Sequence, residues 1–394
     1  MIGKLRRLSV ALLLVIAPLT SFIVPGVAHA AVGGTFTWSG AGADGNWSTA
    51  GNWVGGTAPV SGDVGDTIII NNAATFTNGS TDNLATLSLA SLQFENNGGL
   101  AQTVTLANPL TITGSITQAA STTTTEDIIR NNGTAQTITL GGDVAVTSSD
   151  GGLTIGFNTA DNIALASHTL TFTNPSATAD VIIQDNITGS GSVVYNGDQF
   201  SLDGTNTYSG TTTITAGAVA NNTSGNNAFG TSSISIASSG GLTFGYSSTT
   251  TISNPITIAG TTNGSPTTSL TFSTLTSGVT INAPAITLNG DTRFDNNGIL
   301  SGLTVNLAGI TTNGFCIEYL GDNPDYSNPA ANGFTNAPTG CIVPASTSST
   351  TAAPGAPNTG LALMAAHPLA SLAATTTAAL TILVIARRLR PVKS

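Results

Sequence analysis

The chain has 394 residues, of which only 7% are charged, and its formal net charge is −10 at pH 7. Seven of the nine basic residues lie at the two ends, so the long middle of the chain carries only Arg130 and Arg293 against nineteen acidic residues, a formal charge of −17. This balance excludes nucleic acid and anionic lipid as predicted partners, because phosphate recognition needs clustered lysine and arginine.

Residues 1–30 predict a secretory signal peptide. Lys4, Arg6 and Arg7 form its basic region, an apolar stretch follows, and Ala28-His29-Ala30 is a small-x-small cleavage site. We therefore expect an exported protein whose mature chain begins near Ala31. An uncleaved membrane anchor is the alternative.

All three tryptophans, Trp38, Trp47 and Trp53, fall within residues 31–70. A tryptophan cluster can stack on carbohydrate rings, which would make this segment a sugar-binding platform. Such a cluster can also close the apolar end of a repeat protein, as terminal repeats must do to stay soluble. We favour an N-terminal cap because one-sided tryptophan clusters are more often packing than ligand sites.

Residues 71–312 show short strands punctuated by Gly, Asn and Pro. Segments recur: AQT appears at Ala101–Thr103 and again at Ala135–Thr137, and GLTIGF (Gly152–Phe157) returns as GLTFGY (Gly241–Tyr246). In strands such as Ile256-Thr257-Ile258, alternation directs the isoleucines inward and the threonine toward solvent. Stacked coils of ~25 residues would let this long segment bury its interior. The predicted fold is all-β, a right-handed parallel β-helix, with a β-sandwich as the alternative.

Residues 185–219 carry the most specific pattern, a G-x-NTY-x-G-x-T core followed by a short strand and a glycine. This pattern resembles the autotransporter-associated β-strand repeat, and the tryptophan segment is similar to the segment that often opens that family's repeats. The resemblance implies one coil of a β-solenoid on a bacterial surface. The residues that carry it are Gly204, Asn206, Thr207, Tyr208, Gly210, Thr212 and Gly217.

Cys316 and Cys341 are the two cysteines of the chain. In an exported protein they predict one disulfide, which would close a C-terminal cap over residues 313–343. The following Ser/Thr/Ala/Pro tract, residues 344–357, predicts an extended spacer.

The C-terminus, residues 356–394, predicts an envelope anchor. A pentapeptide, an apolar run and a basic tail follow one another, which resembles a sortase cell-wall sorting signal. The resemblance implies cleavage after Thr359 and attachment of that residue to peptidoglycan. The alternative is a retained C-terminal transmembrane helix with its basic tail in the cytoplasm. The pentapeptide consists of Ala356, Pro357, Asn358, Thr359 and Gly360.

The sequence predicts no enzyme, metal or cofactor. His168 is the one histidine between the signal peptide and the C-terminal anchor, and the close acidic pairs are Asp63/Asp66 and Glu126/Asp127. We expect the first pair to cap a turn and the second to lie at an exposed strand edge. Paired carboxylates for hydrolysis and a base beside a thiol are both missing from this pattern.

The predicted function is that of a cell-surface structural or adhesin-like protein, a rigid rod held by a C-terminal anchor. Its predicted partners are the cell envelope and the glycans or proteins of host or neighbouring cell surfaces. The alternative is a carbohydrate-binding module built on Trp38, Trp47 and Trp53.

Overall fold

The computed structural model describes residues 33–71, 79–95, 101–119, 126–149, 152–156, 161–175, 180–221, 228–261, 269–274, 276–298, 302–321 and 328–338. Within these ranges the chain forms β-strands and two short 3-10 turns, Ala50–Asn52 and Ala330–Asn332. The strands in chain order are β1 (Thr35–Trp38), β2 (Val64–Asn71), β3 (Ser80–Asp82), β4 (Leu87–Glu95), β5 (Thr103–Leu106), β6 (Leu110–Gln118), β7 (Asp127–Asn131), β8 (Thr137–Leu140), β9 (Val144–Ser148), β10 (Leu153–Ile155), β11 (Asn162–Ala164), β12 (Thr169–Asn174), β13 (Val181–Ile183), β14 (Asn186–Thr188), β15 (Ser192–Leu202), β16 (Thr212–Asn221), β17 (Ile234–Gly245), β18 (Thr250–Thr251), β19 (Ile256–Ile258), β20 (Ser269–Thr274), β21 (Thr280–Asn282), β22 (Ile286–Leu288), β23 (Thr292–Gly298), β24 (Thr304–Asn306), β25 (Ile310–Thr311), β26 (Ile317–Leu320) and β27 (Phe334–Thr335).

The strands stack in parallel into three ladders that run along one axis. The first ladder contains β3, β5, β7, β10 and β13, the C-terminal halves of β15, β16 and β17, then β20, β23 and β26. The second contains the start of β4 and β6, then β8, β11 and β14, and later β18, β21, β24 and β27. The third contains β1, β2, the ends of β4 and β6, β9, β12, the starts of β15, β16 and β17, β19, β22 and β25.

The chain is therefore an all-β parallel solenoid with almost no helix, and the third ladder alone stacks twelve of the described strands. Parallel pairing between successive coils excludes the β-sandwich alternative, in which neighbouring strands run antiparallel. Ile138, Ile163 and Ile187 are successive members of one column, and their spacing along the chain matches the predicted coil length. The ladders also take in β1, β2, β26 and β27, so they extend into the segments predicted as caps.

The core is a continuous apolar column inside the ladders. Along each strand, alternate side chains point inward and are buried, as the period of two requires. Ile256 and Ile258 are 1% and 0% exposed, whereas Thr257 between them is exposed, which confirms the predicted orientation. Aromatic rings fill the interior further along the chain, where Phe172 and Tyr195 stack at 5.5 Å in adjacent coils.

The two sequence repeats have different structural meanings. Leu153 of GLTIGF and Leu242 of GLTFGY occupy one column of the first ladder, several coils apart. The two AQT copies, in contrast, lie on different ladders: Gln102 precedes β5 of the first and Gln136 precedes β8 of the second. The distance between the two copies along the chain is thus one coil plus one further strand.

Candidate functional site: the tryptophan cluster and the repeat signature

Three indole rings pack against one another at the N-terminal end of the solenoid. The Trp53 ring meets that of Trp38 edge-on, with 5.0 Å between centroids, and that of Trp47 at 5.9 Å. Phe36 adds a further ring 5.9 Å from Trp53. Edge-to-face contacts of this kind contribute about 0.5–1.5 kcal/mol each beyond the burial of area.

Indole N–H groups tie this cluster to its surroundings. Trp47 Nε1 donates a hydrogen bond of 2.8 Å to Ser80 Oγ on β3, and Trp53 Nε1 donates one of 2.7 Å to the carbonyl oxygen of Trp47. A buried indole needs such an acceptor, because an unpaired buried N–H costs about 1–3 kcal/mol. The cluster is therefore connected both to the loop that carries it and to the next coil.

A buried asparagine organises the loop that presents the tryptophans. Asn52 accepts a hydrogen bond from the backbone N–H of Gly42 (2.8 Å) and donates to the carbonyl oxygens of Asp44 and Asn46 (2.9 Å each). The backbone N–H of Asn46 and the hydroxyl of Thr49 lower the pKa of Asp44. In the Asn-Trp dipeptides of the sequence, the asparagine thus holds the loop together by hydrogen bonds, and the tryptophan packs its ring into the core.

All three tryptophans are inaccessible in this arrangement. Trp38 and Trp47 are 0% exposed and Trp53 is 3% exposed. A sugar ring stacks on the open face of an indole, and here each face is covered by protein. The burial favours packing over sugar binding as the role of these residues.

Asn206 of the repeat signature bridges three coils. Its Oδ1 accepts a hydrogen bond of 2.6 Å from the backbone N–H of Ile187, and its Nδ2 donates one of 2.6 Å to the carbonyl oxygen of Ala228. The neighbouring Thr207 N–H donates to the carbonyl oxygen of Ile187 at 2.8 Å. Asn206 is 1% exposed, so its amide replaces ladder hydrogen bonds at a corner where the chain is not in a strand.

Tyr208 anchors the same coil through a buried chain of hydroxyls. Its OH lies 2.6 Å from Thr212 Oγ1, which lies 2.7 Å from Ser232 Oγ in the next coil. Ser232 Oγ in turn donates to the carbonyl oxygen of Phe229. Burial raises the pKa of Tyr208 to about 12, so the phenol stays neutral and keeps its hydrogen bonds.

The signature glycines allow this coil to pass close to its neighbour. A side chain at Gly204, Gly210 or Gly217 would overlap the carbonyl oxygens of Asp185, Gly191 and Gly197, respectively. The coil is also short, since the register partner of Val193 is already Thr212. Every signature residue therefore has a structural role between coils, and together they hold a coil of minimal length.

The predicted acidic turn at Asp63 and Asp66 is confirmed in part. Asp63 Oδ2 caps the turn by accepting from the backbone N–H of Val60 (2.7 Å), whereas Asp66 Oδ1 accepts from Gly34 N–H across the ladder (2.7 Å). Both side chains are buried. Burial, with Asp63 alongside, raises the pKa of Asp66 to about 6.

The predicted exposed strand edge at Glu126 and Asp127 is wrong for Asp127. Glu126 is exposed, but Asp127 is 0% exposed and its Oδ1 accepts a 2.8 Å hydrogen bond from the backbone N–H of Gln102. β7 begins at Asp127 and has a strand on either side, β5 and β10, so this position is interior to the ladder. The carboxylate serves the backbone of the preceding coil.

A buried acidic corner follows between the first and second ladders. Asp161 accepts hydrogen bonds from Asn131 Nδ2 (2.7 and 2.8 Å) and from the backbone N–H of Gln136 (2.7 Å). Asp185, one coil further on, is 3% exposed, and its Oδ1 makes no hydrogen bond within the described part of the chain. Burial and the nearby Asp161 raise the pKa of Asp185 to about 8.

The acids described above lie at turns and corners of the solenoid. No group of three or more His, Cys, Asp and Glu that could hold a metal ion occurs among the described residues. His168 lies at the surface, with Nδ1 3.9 Å from Asp143 Oδ1. The buried carboxylates instead serve the backbone at corners, which no spacing of acids along the sequence indicates.

Several predicted features lie outside the described residues: the signal peptide (1–30), Cys341, the spacer (344–357), and the sorting motif with its anchor (356–394). Cys316 is described, and its backbone N–H donates to Asp291 Oδ1 at 2.8 Å. Within the described ranges, no helix is long and apolar enough to cross a bilayer. The disulfide, the sorting signal and the membrane helix stay predictions.

Comparison with protein-family models, with curated proteins and with solved structures found no match. The resemblance to the autotransporter-associated repeat therefore rests on the signature residues themselves.

Proposed function

We propose that this protein is a cell-surface structural or adhesin-like rod, displayed from an envelope anchor at its C-terminus. The observation that carries the proposal is the continuous parallel stacking of the first and third ladders, β3 to β26 and β1 to β25, around one apolar core. The twelve described strands of the third ladder, stacked at ~4.8 Å per strand step, give a stiff body on the order of 50 Å long. Such a body suits the display of a surface at a distance from the cell.

The proposed rod is a right-handed β-helix with a cap at each end, as crossover sterics and solenoid solubility favour. The tryptophan cluster supports the N-terminal cap, because its rings are buried against the first coils. A disulfide between Cys316 and Cys341 would tie the C-terminal cap and stabilise it by about 3–4 kcal/mol if unstrained.

The proposed anchor is the segment after the spacer, with Thr359 as the residue joined to peptidoglycan. The proposed topology places the acidic solenoid outside the cell and the basic tail inside, as the positive-inside rule requires. The autotransporter-like signature supports the same location, since it implies a bacterial surface protein.

The deciding experiment is the intact mass of the chain released from isolated cell walls by muramidase. A chain that ends at Thr359 and carries a peptidoglycan fragment would establish wall anchoring. A full-length chain extracted from membranes by detergent would support a retained helix. A chain found only inside the cell would contradict the proposed function.

The competing proposal, a carbohydrate-binding module, would need the buried indoles to become uncovered. Replacement of Trp38, Trp47 and Trp53 by Ala separates the two roles. Loss of folding, measured by circular dichroism, is expected for the cap. Loss of retention on polysaccharide with the fold intact would instead support the module.

A further inference from the structure

The outward positions of the third ladder form a column of hydroxyl groups along the solenoid. Register partners run from Thr35 on β1 to Thr311 on β25, one position per strand. All but two of these positions are serine or threonine, the exceptions being Ala145 and Val194. Ser91 is only 7% exposed, and its Oγ lies 2.9 Å from Ser115 Oγ in the next coil. We call this set the hydroxyl column; successive members in its central part are Thr171, Val194, Thr213, Ser235, Thr257 and Thr287.

A second outward column runs beside the first, two residues further along most strands, three further on β16 and four further on β17. It leads from Thr37 to Ser239, with Thr117, Thr147 and Thr173 on consecutive coils, and its other members are Ile69, Gln93, Asn196 and Ala216. No member of either column is charged or aromatic. One charged side chain, Glu95, follows Gln93 by two residues on β4 of this ladder. In the first ladder, Arg293 Nε donates to Glu318 Oε2 at 2.7 Å.

The residues between the two columns fix the outward groups in place. Ile68, Phe172 and Ile214 point inward and are each 0% exposed. The outward side chains are therefore held ~4.8 Å apart from coil to coil and ~6.6 Å apart along each strand. The face is a rigid two-dimensional array rather than a set of independent side chains.

The chemistry of this array restricts what can bind it. A hydroxyl both donates and accepts hydrogen bonds, and threonine adds a methyl group beside it. An ionic ligand finds no counter-charge here, and a sugar finds no ring to stack on. A surface of water molecules fits, because it is uncharged, each molecule donates and accepts, and its oxygen atoms repeat at a spacing similar to the coil step.

We propose that the hydroxyl column and its neighbour form an ice-binding face. This inference rests on the proposed surface role, for which ice would be the solid to which the rod adheres. Each contact is weak, and adhesion comes from the many contacts that a rigid array makes at once.

The test compares the full chain with two triple variants. Thr171→Tyr/Thr213→Tyr/Thr257→Tyr places bulky groups on the hydroxyl column. Thr139→Tyr/Thr188→Tyr/Thr304→Tyr places the same groups on outward positions of the second ladder. Tyrosine is a good strand former, so both variants keep their strands, and circular dichroism checks that they do.

The probe is ice grown slowly from a protein solution, and the readout is the fraction of protein taken into it. We expect wild type and the second-ladder variant to be incorporated, and the hydroxyl-column variant to lose incorporation by about tenfold or more because the array no longer meets a flat surface. Exclusion of folded wild type from ice would overturn the inference, as would equal loss in both variants.

Fractionation of cells that produce this protein separates the ice-binding inference from the proposed function. A wall-attached chain that is excluded from ice overturns the ice-binding face alone. A chain that binds ice but is absent from the cell surface overturns the proposed function alone. Retention on an insoluble neutral polysaccharide without incorporation into ice would show a different occupant and overturn the inference.

Discussion

Two buried tyrosines, Tyr195 and Tyr208, differ in their contribution to stability because of the partners of their hydroxyl groups. Both are 0% exposed. The OH of Tyr208 lies within 2.6 Å of Thr212 Oγ1, whereas the OH of Tyr195 makes no hydrogen bond within the described part of the chain. Tyr195 keeps its ring contacts with Phe172 and Phe200 at 5.5 and 5.3 Å, so its value to the fold is that of a phenylalanine.

Tyr195→Phe should therefore stabilise the protein by about 1 kcal/mol, because it removes an unpaired buried polar group. Tyr208→Phe is the matched control and should destabilise by about 1–2 kcal/mol, since it leaves Thr212 and Ser232 short of a partner. Urea unfolding followed by circular dichroism measures both. Destabilisation by Tyr195→Phe would mean that its hydroxyl has a partner in solution.

For single residues, the sequence predicted well whether a strand side chain points inward or outward. It predicted poorly which polar side chains are buried. Ile256 and Ile258 point inward as their alternation requires, because only one face of a strand can meet the core. Asp127 was expected at an exposed edge, but a strand on either side buries it. Nothing local distinguishes these two environments for an aspartate, since each depends on which coil stacks above and below.

Side-chain hydrogen bonds at the corners join the coils of this solenoid, in addition to the strand ladders. Asn206 satisfies an N–H of the preceding coil and a carbonyl of the following one, both at 2.6 Å. On the second ladder, the half-buried Asn282 donates to Thr251 Oγ1 at 3.1 Å and accepts from Asn306 Nδ2 at 3.0 Å. The buried hydrogen bonds of Asn206 contribute more to stability than those of Asn282, because water cannot replace them.

Asn206→Ala should destabilise by about 2–3 kcal/mol, as it leaves two buried backbone groups unpaired. Asn282→Ala is the control, because Asn282 is half-buried and its two partners are side chains. It should cost less than Asn206→Ala, about 0.5 kcal/mol. Both are measured as changes in the urea midpoint at constant slope. Equal effects would show that water reaches the corner at Asn206.

Close approach of coils makes a second, steric prediction at Gly217. Its φ is +73°, and a Cβ there would overlap the carbonyl oxygen of Gly197. Gly278 has nearly the same φ, +74°, with no atom within 4 Å of a Cβ. The pair separates backbone strain from contact between coils.

Gly278→Ala should cost about 1 kcal/mol, the strain of a left-handed residue. Gly217→Ala should cost at least about 2 kcal/mol more, because a neighbouring backbone must move. Thermal or urea unfolding of the two variants gives the difference. A Gly217→Ala variant no less stable than Gly278→Ala would contradict the close packing of this coil.

Coil boundaries were harder to predict than coil content. The NTY signature marks a real and short coil, but the recurrence of AQT joins positions on different ladders. Short motifs such as AQT-x-T suit the entry to any strand of a three-sided coil. Repeats of local turn chemistry therefore reveal that coils stack without revealing which strands pair.

Across the whole molecule, three buried carboxyls share one response to pH. Burial raises the pKa of Asp66 to about 6, of Asp82 to about 7 and of Asp185 to about 8, from an ordinary value of 3.8. Each is protonated more readily in the folded chain than in the unfolded one. Their contribution to stability is therefore full below about pH 4 and is lost as pH rises toward 8.

The urea midpoint should therefore decrease as the pH rises from about 5 to about 8. The free energy of unfolding should decrease by at most about 1.4 kcal/mol per pH unit for each carboxyl. Asp185→Asn should reduce the change of the urea midpoint with pH between about pH 7 and pH 8, because that carboxyl titrates last. A midpoint that rises over this range, or a variant with the slope of wild type, would contradict the assignment.

The short coil at the NTY signature also bears on how such a chain changes over generations. Shorter and longer coils stack in the same solenoid because each contacts only the one before and the one after. Duplication of the gene segment for one coil would lengthen the solenoid by ~4.8 Å and leave the packing of the other coils unchanged. The length of the solenoid is then set by the number of coils, and it can change gradually without a change of fold.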